Sequence, residues 1–492
     1  MTDPGDRADA IIVEPESPGT EFDRRLLGTN VAAWLSAERF EQQEFRDVLG
    51  RAGVTHIRMP GGSWSNSYDW LACELDDESG CQWTWAARPA DFAALLTSTR
   101  LPGMWTVSIN ETAQHSAALV AYFNGEVDDA TAIGVDRDGV DWGTVGQWAS
   151  LRAANGTTEP VGIEMWEVGN EVYAGERSVA GENCSEFGWE AVWTCDGAAY
   201  VAGDPEHDGY LAIRQAMRSV DPTIQVGAVG VPEPADWGDW GTEVVEMAGS
   251  DLDFYVVHRY GFNSSEEVFT IVDDPLRYWP QTLEALTSVL GSAVPIAVTE
   301  HNLVSVAASD TEQTMTNGSN AIFLAETIGQ LALGGVGIAN QWDFASGEAE
   351  SGTNYGLIEA DTLRPFPAFF SFALWSRFGD TLLPVRLPAG TASLSVYAGR
   401  RADGVATLIV VNRSLESVSV PVGLADSEVA SAVVNTLTSL DPETSEVTYN
   451  GVAGTTTAVI DTPGTSLAPE AGYVVPTFPA WSVSLVEIIG DD

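Results

Sequence analysis

The stretch GIEMWEVGNE, residues 162–171, decides how the fold is read. Val161 to Val168 is strand-like, and the run breaks off on Asn170 and Glu171. Glu167 and Glu171 stand an even number of positions apart. Alternate strand residues point to the same side, so both acids belong to one face. In a barrel that face looks inward, and the chemistry sits at the end where the strands finish.

Outward from this strand, short apolar runs alternate with helical patterns from about Leu26 to Phe378. LLGTNVAAW, THIRMP, GMWTVSIN, the quoted stretch, QVGAVGV, DFYVVHRYG, PIAVTEHN and VGIANQWDF read as eight strands. Helical patterns fall at Ala37 to Ala52, Ala90 to Thr99, Thr112 to Phe123, Tyr210 to Val220, Gln281 to Leu290, Asn317 to Leu333 and Ala368 to Phe378. Strand-then-helix units of this kind predict an α/β fold, a (β/α)8 TIM barrel. After about Leu383 the texture changes. SLSVYAGR, VATLIVVNRS, SVSVPVGL, ASAVVNTLTS, TTTAVIDT and WSVSLVEII alternate apolar and polar residues, which predicts an accessory antiparallel β-sandwich. The early strand AIIVEP, residues 10–15, lies outside the barrel and is expected to join that sandwich. The expected division is an N-terminal segment over 1–25, a catalytic barrel over 26–380 and a sandwich over 381–492.

The chain has 492 residues and a formal charge of −49, from 71 acids against 22 bases. All the bases are arginine. Such a surface repels nucleic acid, anionic lipid and acidic glycans, and favours a neutral substrate. Salt adaptation and a GC-rich genome both account for the missing lysine. No segment reads as a membrane span: the most apolar helix, Ala321 to Leu333, is short and carries Glu326 and Gln330. The start MTDPGDRADA lacks the apolar region of a signal peptide, and a mature secreted chain without its leader would read the same.

The four cysteines form two close pairs, Cys73 with Cys81 and Cys184 with Cys195. Local pairing closes two polar loops, CELDDESGC and CSEFGWEAVWTC, and points to a secreted or extracytoplasmic protein. Neither spacing suits a metal site. DRDGVDWG and DGAAYVAGDPEHDG are rich in carboxylates but miss the EF-hand spacing, so they read as solvated loops. No metal and no cofactor are expected.

Parity collects a polar mouth. Glu167 and Glu171 share a side on the fourth strand, and His56 and Arg58 on the second. His258 and Tyr260 share one on the sixth, and Asn340 and Trp342 on the eighth. Asn110 ends the third strand. Glu300 ends the seventh and shares its parity with Val298 and Ile296. Two carboxylates facing each other across a sugar are what glycoside hydrolysis requires: one protonated to help the leaving oxygen, the other ionised to attack. Arg58 and His258 are expected to hold Glu300 ionised, and Glu171 to keep a raised pKa. Glu167, deeper, needs a buried base such as Arg58 or His56.

With these residues in place the sequence resembles the clan A retaining glycoside hydrolases, and within them family 51, the α-L-arabinofuranosidase family. The matching stretches are IRMPGGSWSNSYDW, VAYFNG, LRAANGTTEPVGIEMWEVGNE, DFYVVHRYG and VTEHN. The resemblance implies Glu171 as acid/base, Glu300 as nucleophile and Asn170 on the sugar hydroxyl next to the reacting carbon. It implies that Arg58 and Tyr260 support Glu300 and that Trp342 floors the subsite. Three positions depart from the family pattern. The first strand carries no acid, Ser63 replaces the Asn of PGGN, and His301 follows the nucleophile position.

Trp64, Trp70, Trp83 and Trp85 in the second loop, and Trp189 and Trp193 in the fourth, are expected to wall the subsites. The expected substrate is a neutral polysaccharide or its oligosaccharides, without nucleic acid or membrane. An endo-β-glucanase or xylan-active enzyme of the same clan is the alternative. A non-catalytic carbohydrate-binding protein is the rival of another class.

Overall fold

The computed structural model describes residues 8–491, so the first seven residues of the expected N-terminal segment lie outside the described residues. Eight parallel strands close a barrel: β1 (Gly28–Asn30), β2 (His56–Met59), β3 (Gly103–Val107), β4 (Met165–Val168), β5 (Gln225–Val229), β6 (Phe254–Phe262), β7 (Ile296–Val304) and β8 (Ile338–Gln341). They pair in sequence order, and β8 returns to β1 with Asn340 opposite Gly28. Strands covered on both faces are apolar almost throughout, as their sequences show. The surrounding helices are capped as composition dictates. The Thr112 hydroxyl accepts from the His115 N–H at the start of Ala113–Asn124, and the Asn317 side chain accepts from Ser319 N–H at the start of Gly318–Leu333.

Several elements differ from expectation. The helical run expected over Ala37 to Ala52 is two helices, Ser36–Glu41 and Gln43–Ala52, because Gln42 is extended. The helix expected from Gln281 begins at Val268 and runs through Pro275 and Pro280 to Leu290. Helix Asp236–Ala248 follows β5 and left no helical pattern in the sequence, since its first turn is the Gly- and Asp-rich DWGDWG and Trp237, Gly238 and Asp239 have left-handed dihedrals. TTTAVIDT is not a strand: Thr457–Asp461 is a 3-10 helix.

The barrel interior is layered. Met104, Phe254, Val256, Ala297 and Ile338, with Met165, fill its lower part. Ala297, not Ile296 or Val298, therefore faces inward on β7. The strand then carries an extra residue: Val298 lies opposite Val257 and Ala339, but Glu300 is opposite His258 and His301 opposite Gln341. This bulge shifts the parity, so Thr299 and Glu300 both reach the interior. The expected parity of Ile296, Val298 and Glu300 fails for that reason.

The sandwich is built on a large sheet whose central strands are Leu394–Arg400, Ala406–Asn412, Ser482–Gly490 and Val429–Ser439. Ile11–Val13 lies in a second, three-stranded sheet, parallel to Val422–Leu424 and antiparallel to Val385–Arg386. Ile11 and Val13 pack with Leu408, Val410, Val486 and Ile488 between the sheets. The opposite face of the large sheet, with Ile409, Val411, Val483 and Leu485, joins the core that contains the barrel helices. At that junction Tyr397 lies against Gly329, where a Cβ would come within 2.2 Å of its ring. The Tyr397 hydroxyl donates to Glu326 Oε2 at 2.5 Å, and Arg413 lies 3.6 Å from Oε1.

Glu326 is fully buried, and burial raises its carboxyl to about 7. Its folded pKa lies above the ordinary 4.5, so its contribution is complete below pH 4.5 and is lost as pH rises through 7. That loss is roughly 3 kcal/mol at pH 8. Glu326→Gln is expected to flatten the fall in stability between pH 5 and pH 8 and to raise Tm by a few degrees at pH 8. Melting curves across that range check it.

Candidate active site

Arg58, on β2 and without solvent exposure, organises the mouth. Its Nε donates to Glu167 Oε2 at 2.6 Å, and Nη1 donates to Asn30 Oδ1 and Glu300 Oε1, both at 2.9 Å. Nη2 donates to Asn170 Oδ1 at 2.9 Å. One planar guanidinium thereby fixes groups from β1, β4 and β7, which a lysine's single ammonium could not do. Glu167 also accepts from Thr106 Oγ1 at 2.8 Å and Thr299 Oγ1 at 3.0 Å. Burial opposes its ionisation most strongly, but the charges and hydrogen bonds of Arg58 and His258 together overcome it and hold the carboxyl at about 2. The buried acid of the opening stretch thus has Arg58 as its base.

Above this layer stand Glu171, His258 and Glu300, with one oxygen or ring nitrogen from each all within 4.8 Å of one another. His258 Nδ1 is 3.0 Å from Glu171 Oε1 and 3.7 Å from Glu300 Oε2, and its Nε2 donates to Thr299 Oγ1 at 2.9 Å. Burial disfavours a charged ring, but the carboxylates of Glu300, Glu167 and Glu171 raise His258 to about 10. The Tyr260 hydroxyl donates to Glu300 Oε2 at 2.7 Å. Glu171 follows the strand end at φ 42, a left-handed conformation uncommon for a side chain of its size, and its C=O accepts from Ala174 N–H at 2.7 Å.

The charges are arranged differently from expectation. Burial pushes the Glu171 carboxyl up, but the bonded, charged His258 outweighs it, so Glu171 is drawn below the ordinary range. Burial pushes Glu300 above that range, against the charges of His258 and Arg58. The opposite directions of His258 and Glu171 favour the proton on His258 over Glu171.

Sequence reasoning missed Glu190, Thr299, Asn30, Asn66 and Trp34, and named Trp189 only as a subsite wall, not as a partner of Glu171. Glu190 is fully buried in the fourth loop. It accepts from Ser63 Oγ at 2.6 Å, Asn170 Nδ2 at 3.0 Å and Asn66 Nδ2 at 2.7 Å. Burial, then the charge of Glu171, raises it to about 7. Asn66 also accepts from Asn170 N–H at 3.1 Å and donates to Asn170 O at 2.8 Å, fixing the strand end. Glu190, Asn66 and Trp34 lie in loops that leave the mouth, whereas Asn30 ends β1 and Thr299 sits at the β7 bulge.

Other expected residues lie elsewhere or are engaged. Asn340 is fully buried one layer down, where its Nδ2 meets His56 Nε2 at 2.9 Å, so it cannot reach a substrate. Burial lowers His56 to about 4. Asn110 spends its amide on Asn66 O and Ala191 O, each at 2.8 Å, tying two loops together. Trp342 meets Trp34 at 5.9 Å between ring centroids, and Trp34 meets Trp64 at 5.2 Å. Trp64 stacks on Trp83 at 3.9 Å and meets Trp85 edge-on at 5.6 Å, making an aromatic row. Trp70 is core, packed on Tyr122 and Trp148. Trp193 stacks flat on His207 and donates to Ile109 O, so it too is packing. The disulfides are Cys73–Cys81 and Cys184–Cys195. Among the described residues no helix is long and apolar enough to cross a membrane.

No family model matches the chain. It is 25% identical over 246 residues to an intracellular exo-α-(1→5)-L-arabinofuranosidase of Bifidobacterium longum, covering 45% of this chain and 35% of the relative. It is 24% identical over 271 residues to intracellular exo-α-(1→5)-L-arabinofuranosidase 1 of Bacillus subtilis strain 168, covering 51% of this chain and 48% of the relative. The chain thus spans half or less of the length of these relatives. Its fold matches the α-L-arabinofuranosidase of Thermotoga maritima, solved with arabinose, at TM-score 0.71 and 19% identity over 98% of this chain and 100% of that one. It also matches a bifunctional glucanase-xylanase from a metagenome library at TM-score 0.59 and 15% identity over 98% and 99%. The barrel-plus-sandwich layout is shared with these structures, and the resemblance to family 51 is upheld at the level of sequence and fold.

Proposed function

We propose that the protein is a retaining glycoside hydrolase of the α-L-arabinofuranosidase type, acting on a neutral polysaccharide or its oligosaccharides. The observation that carries this is the spacing of Glu171 and Glu300, which bring oxygens within 4.8 Å. Retaining enzymes hold their carboxyls about 5–5.5 Å apart, whereas inverting ones leave roughly 6.5–9.5 Å for a water. Glu300, held by Arg58 and Tyr260, attacks the anomeric carbon. His258 passes its proton from Nδ1 to Glu171 Oε1, and Glu171 delivers it to the leaving oxygen. Glu171 then takes a proton from water and returns it to His258 Nδ1, while the water oxygen bonds the anomeric carbon and the Glu300–sugar bond breaks, with the anomeric configuration kept. Asn170 and Trp342 face the sugar in this reading, and the charge of −49 supports a neutral one.

The aromatic row Trp342, Trp34, Trp64, Trp83 and Trp85 favours a second reading within the same chemistry, a xylan- or glucan-type chain lying along the rings. Two disulfides support an oxidising compartment outside the cytoplasm. Both relatives named above carry the word intracellular, so the compartment is where this chain would part from them.

Glu171→Ala tests the reading. Substrates with poor leaving groups should lose roughly 10²–10⁴-fold in kcat/KM, while an aryl glycoside with an activated leaving group loses about tenfold at most. Equal losses on both would remove Glu171 as the acid. No turnover of any aryl glycoside or polysaccharide by the unaltered protein would leave the carbohydrate-binding alternative.

A further inference from the structure

The loop closed by Cys184 and Cys195 sends two consecutive side chains to the Glu171 half of the mouth. Trp189 Nε1 donates to Glu171 Oε2 at 2.7 Å. Glu190, buried, ties down Asn170 as well as Ser63 and Asn66. Both backbone N–H groups donate to Ala174 O, at 2.9 and 3.0 Å, and Glu190 O accepts from Glu176 N–H at 2.7 Å. The loop is therefore pinned to the segment that follows Glu171. Trp237 meets the Trp189 ring edge-on at 5.6 Å and lies 5.1 Å from Tyr173.

Trp189 remains 49% exposed although it is bonded to the candidate acid. An N–H donor needs only an edge of the ring, so a face stays open beside Glu171. The aromatic row from Trp342 to Trp85 stands on the loops of β8, β1 and β2, whereas Trp189 and Trp237 stand on those of β4 and β5. The leaving oxygen must lie against Glu171, so the sugar it carries lies on the β4 side. Sugar rings present C–H faces that pack on indole.

We propose that Trp189 binds the departing sugar on its ring face while its N–H holds Glu171, and that Glu190 is the positioning residue that anchors this loop to Asn170. The inference rests on the hydrolase reading above. It joins leaving-group recognition to the acid: a sugar that seats on Trp189 sits against the group that protonates it. Removing the N–H withdraws a donor from the carboxylate, which makes Glu171 hold its proton to higher pH. The other groups that face Glu171 are His258, Glu300, Tyr260, Tyr173 and Glu190, and all are untouched by a change at Trp189.

Two substrates with the same glycon separate the roles: an α-(1→5)-linked arabino-oligosaccharide, and arabinofuranosyl fluoride, whose leaving group needs neither a platform nor a proton. In Trp189→Ala the loss of kcat/KM on the oligosaccharide should exceed that on the fluoride by about tenfold, chiefly through KM. Trp189→Phe keeps a ring and loses the N–H. Its oligosaccharide KM should stay within about threefold, while the basic limb of its kcat/KM profile moves up by roughly half a pH unit. Glu190→Gln places an amide donor against the amides of Asn66 and Asn170, and both substrates should slow together. Equal losses on the two substrates in Trp189→Ala, or an unmoved pH profile in Trp189→Phe, overturns the proposal while the hydrolase reading stands. Failure of the unaltered protein to turn over either substrate overturns the arabinofuranosidase reading and this proposal with it.

Discussion

Glu300→Ala is expected to abolish turnover, with kcat falling by roughly 10⁴–10⁶, the scale seen when an enzyme loses its nucleophile. The barrel should survive the change. Arg58 keeps Glu167, Asn30 and Asn170 as partners, and Tyr260 loses one hydrogen bond at the edge of the mouth. The deleted carboxylate leaves a space on the face of the sugar opposite the leaving group. Azide supplied at high concentration should fill it and restore activity on an activated aryl glycoside, releasing a glycosyl azide of inverted configuration. Kinetics with and without azide, and the stereochemistry of the product, check this. Retention of normal activity would take Glu300 out of the mechanism.

Arg58→Met should have the largest effect on stability. Met fills much of the volume but removes all four hydrogen bonds and leaves Glu167 buried without its counter-charge. Breaking one side of a buried pair costs about 3–5 kcal/mol. The cost carries a pH signature. In the native protein Glu167 is held at about 2, so its stabilisation is complete above pH 4.5 and is lost as pH falls through 2. In Arg58→Met that stabilisation is gone, and burial makes ionisation of Glu167 a penalty that grows as pH rises past 4.5. The gap between the two proteins should therefore be widest near pH 7 and should narrow toward pH 4. Denaturant unfolding at the two pH values measures it, and a gap independent of pH would show that Glu167 is not the group left exposed to the loss.

The barrel was readable because a strand covered on both faces has a simple signature. Eight apolar runs, each bounded by turn residues, leave few alternatives. The Arg58–Glu167 pair was readable because a buried acid needs a base and few were on offer. What could not be read came from three physical sources. The β7 bulge inserts one residue between Val298 and His301, and a strand's alternation carries no mark of it. Parity therefore placed Glu300 correctly and Val298 wrongly. Depth along a strand is also invisible: Asn340 and Trp342 share a side, yet Asn340 lies a layer below the mouth, on His56. Finally, loops carry no periodicity, so nothing separated Trp189, which reaches the mouth, from Trp70 and Trp193, which turn away from it, and Glu190 gave no sign at all. The proton on His258 was missed for a related reason, since a pKa follows from the 3.0 Å contact with Glu171 and not from residue type.

The pairing of Ile11–Val13 with Val422–Leu424 bears on how the chain is made. The first of these strands leaves the ribosome roughly 400 residues before its partner, a wait of about 20–80 s at ~5–20 residues per second. β1 likewise waits for β8 before the barrel can close. Neither body can finish folding in the order of synthesis, and an apolar Ile-Ile-Val segment stays without its sheet for the whole interval. The nascent chain is thus held open until Val422–Leu424 has emerged, and the strand made roughly 400 residues earlier is sealed late.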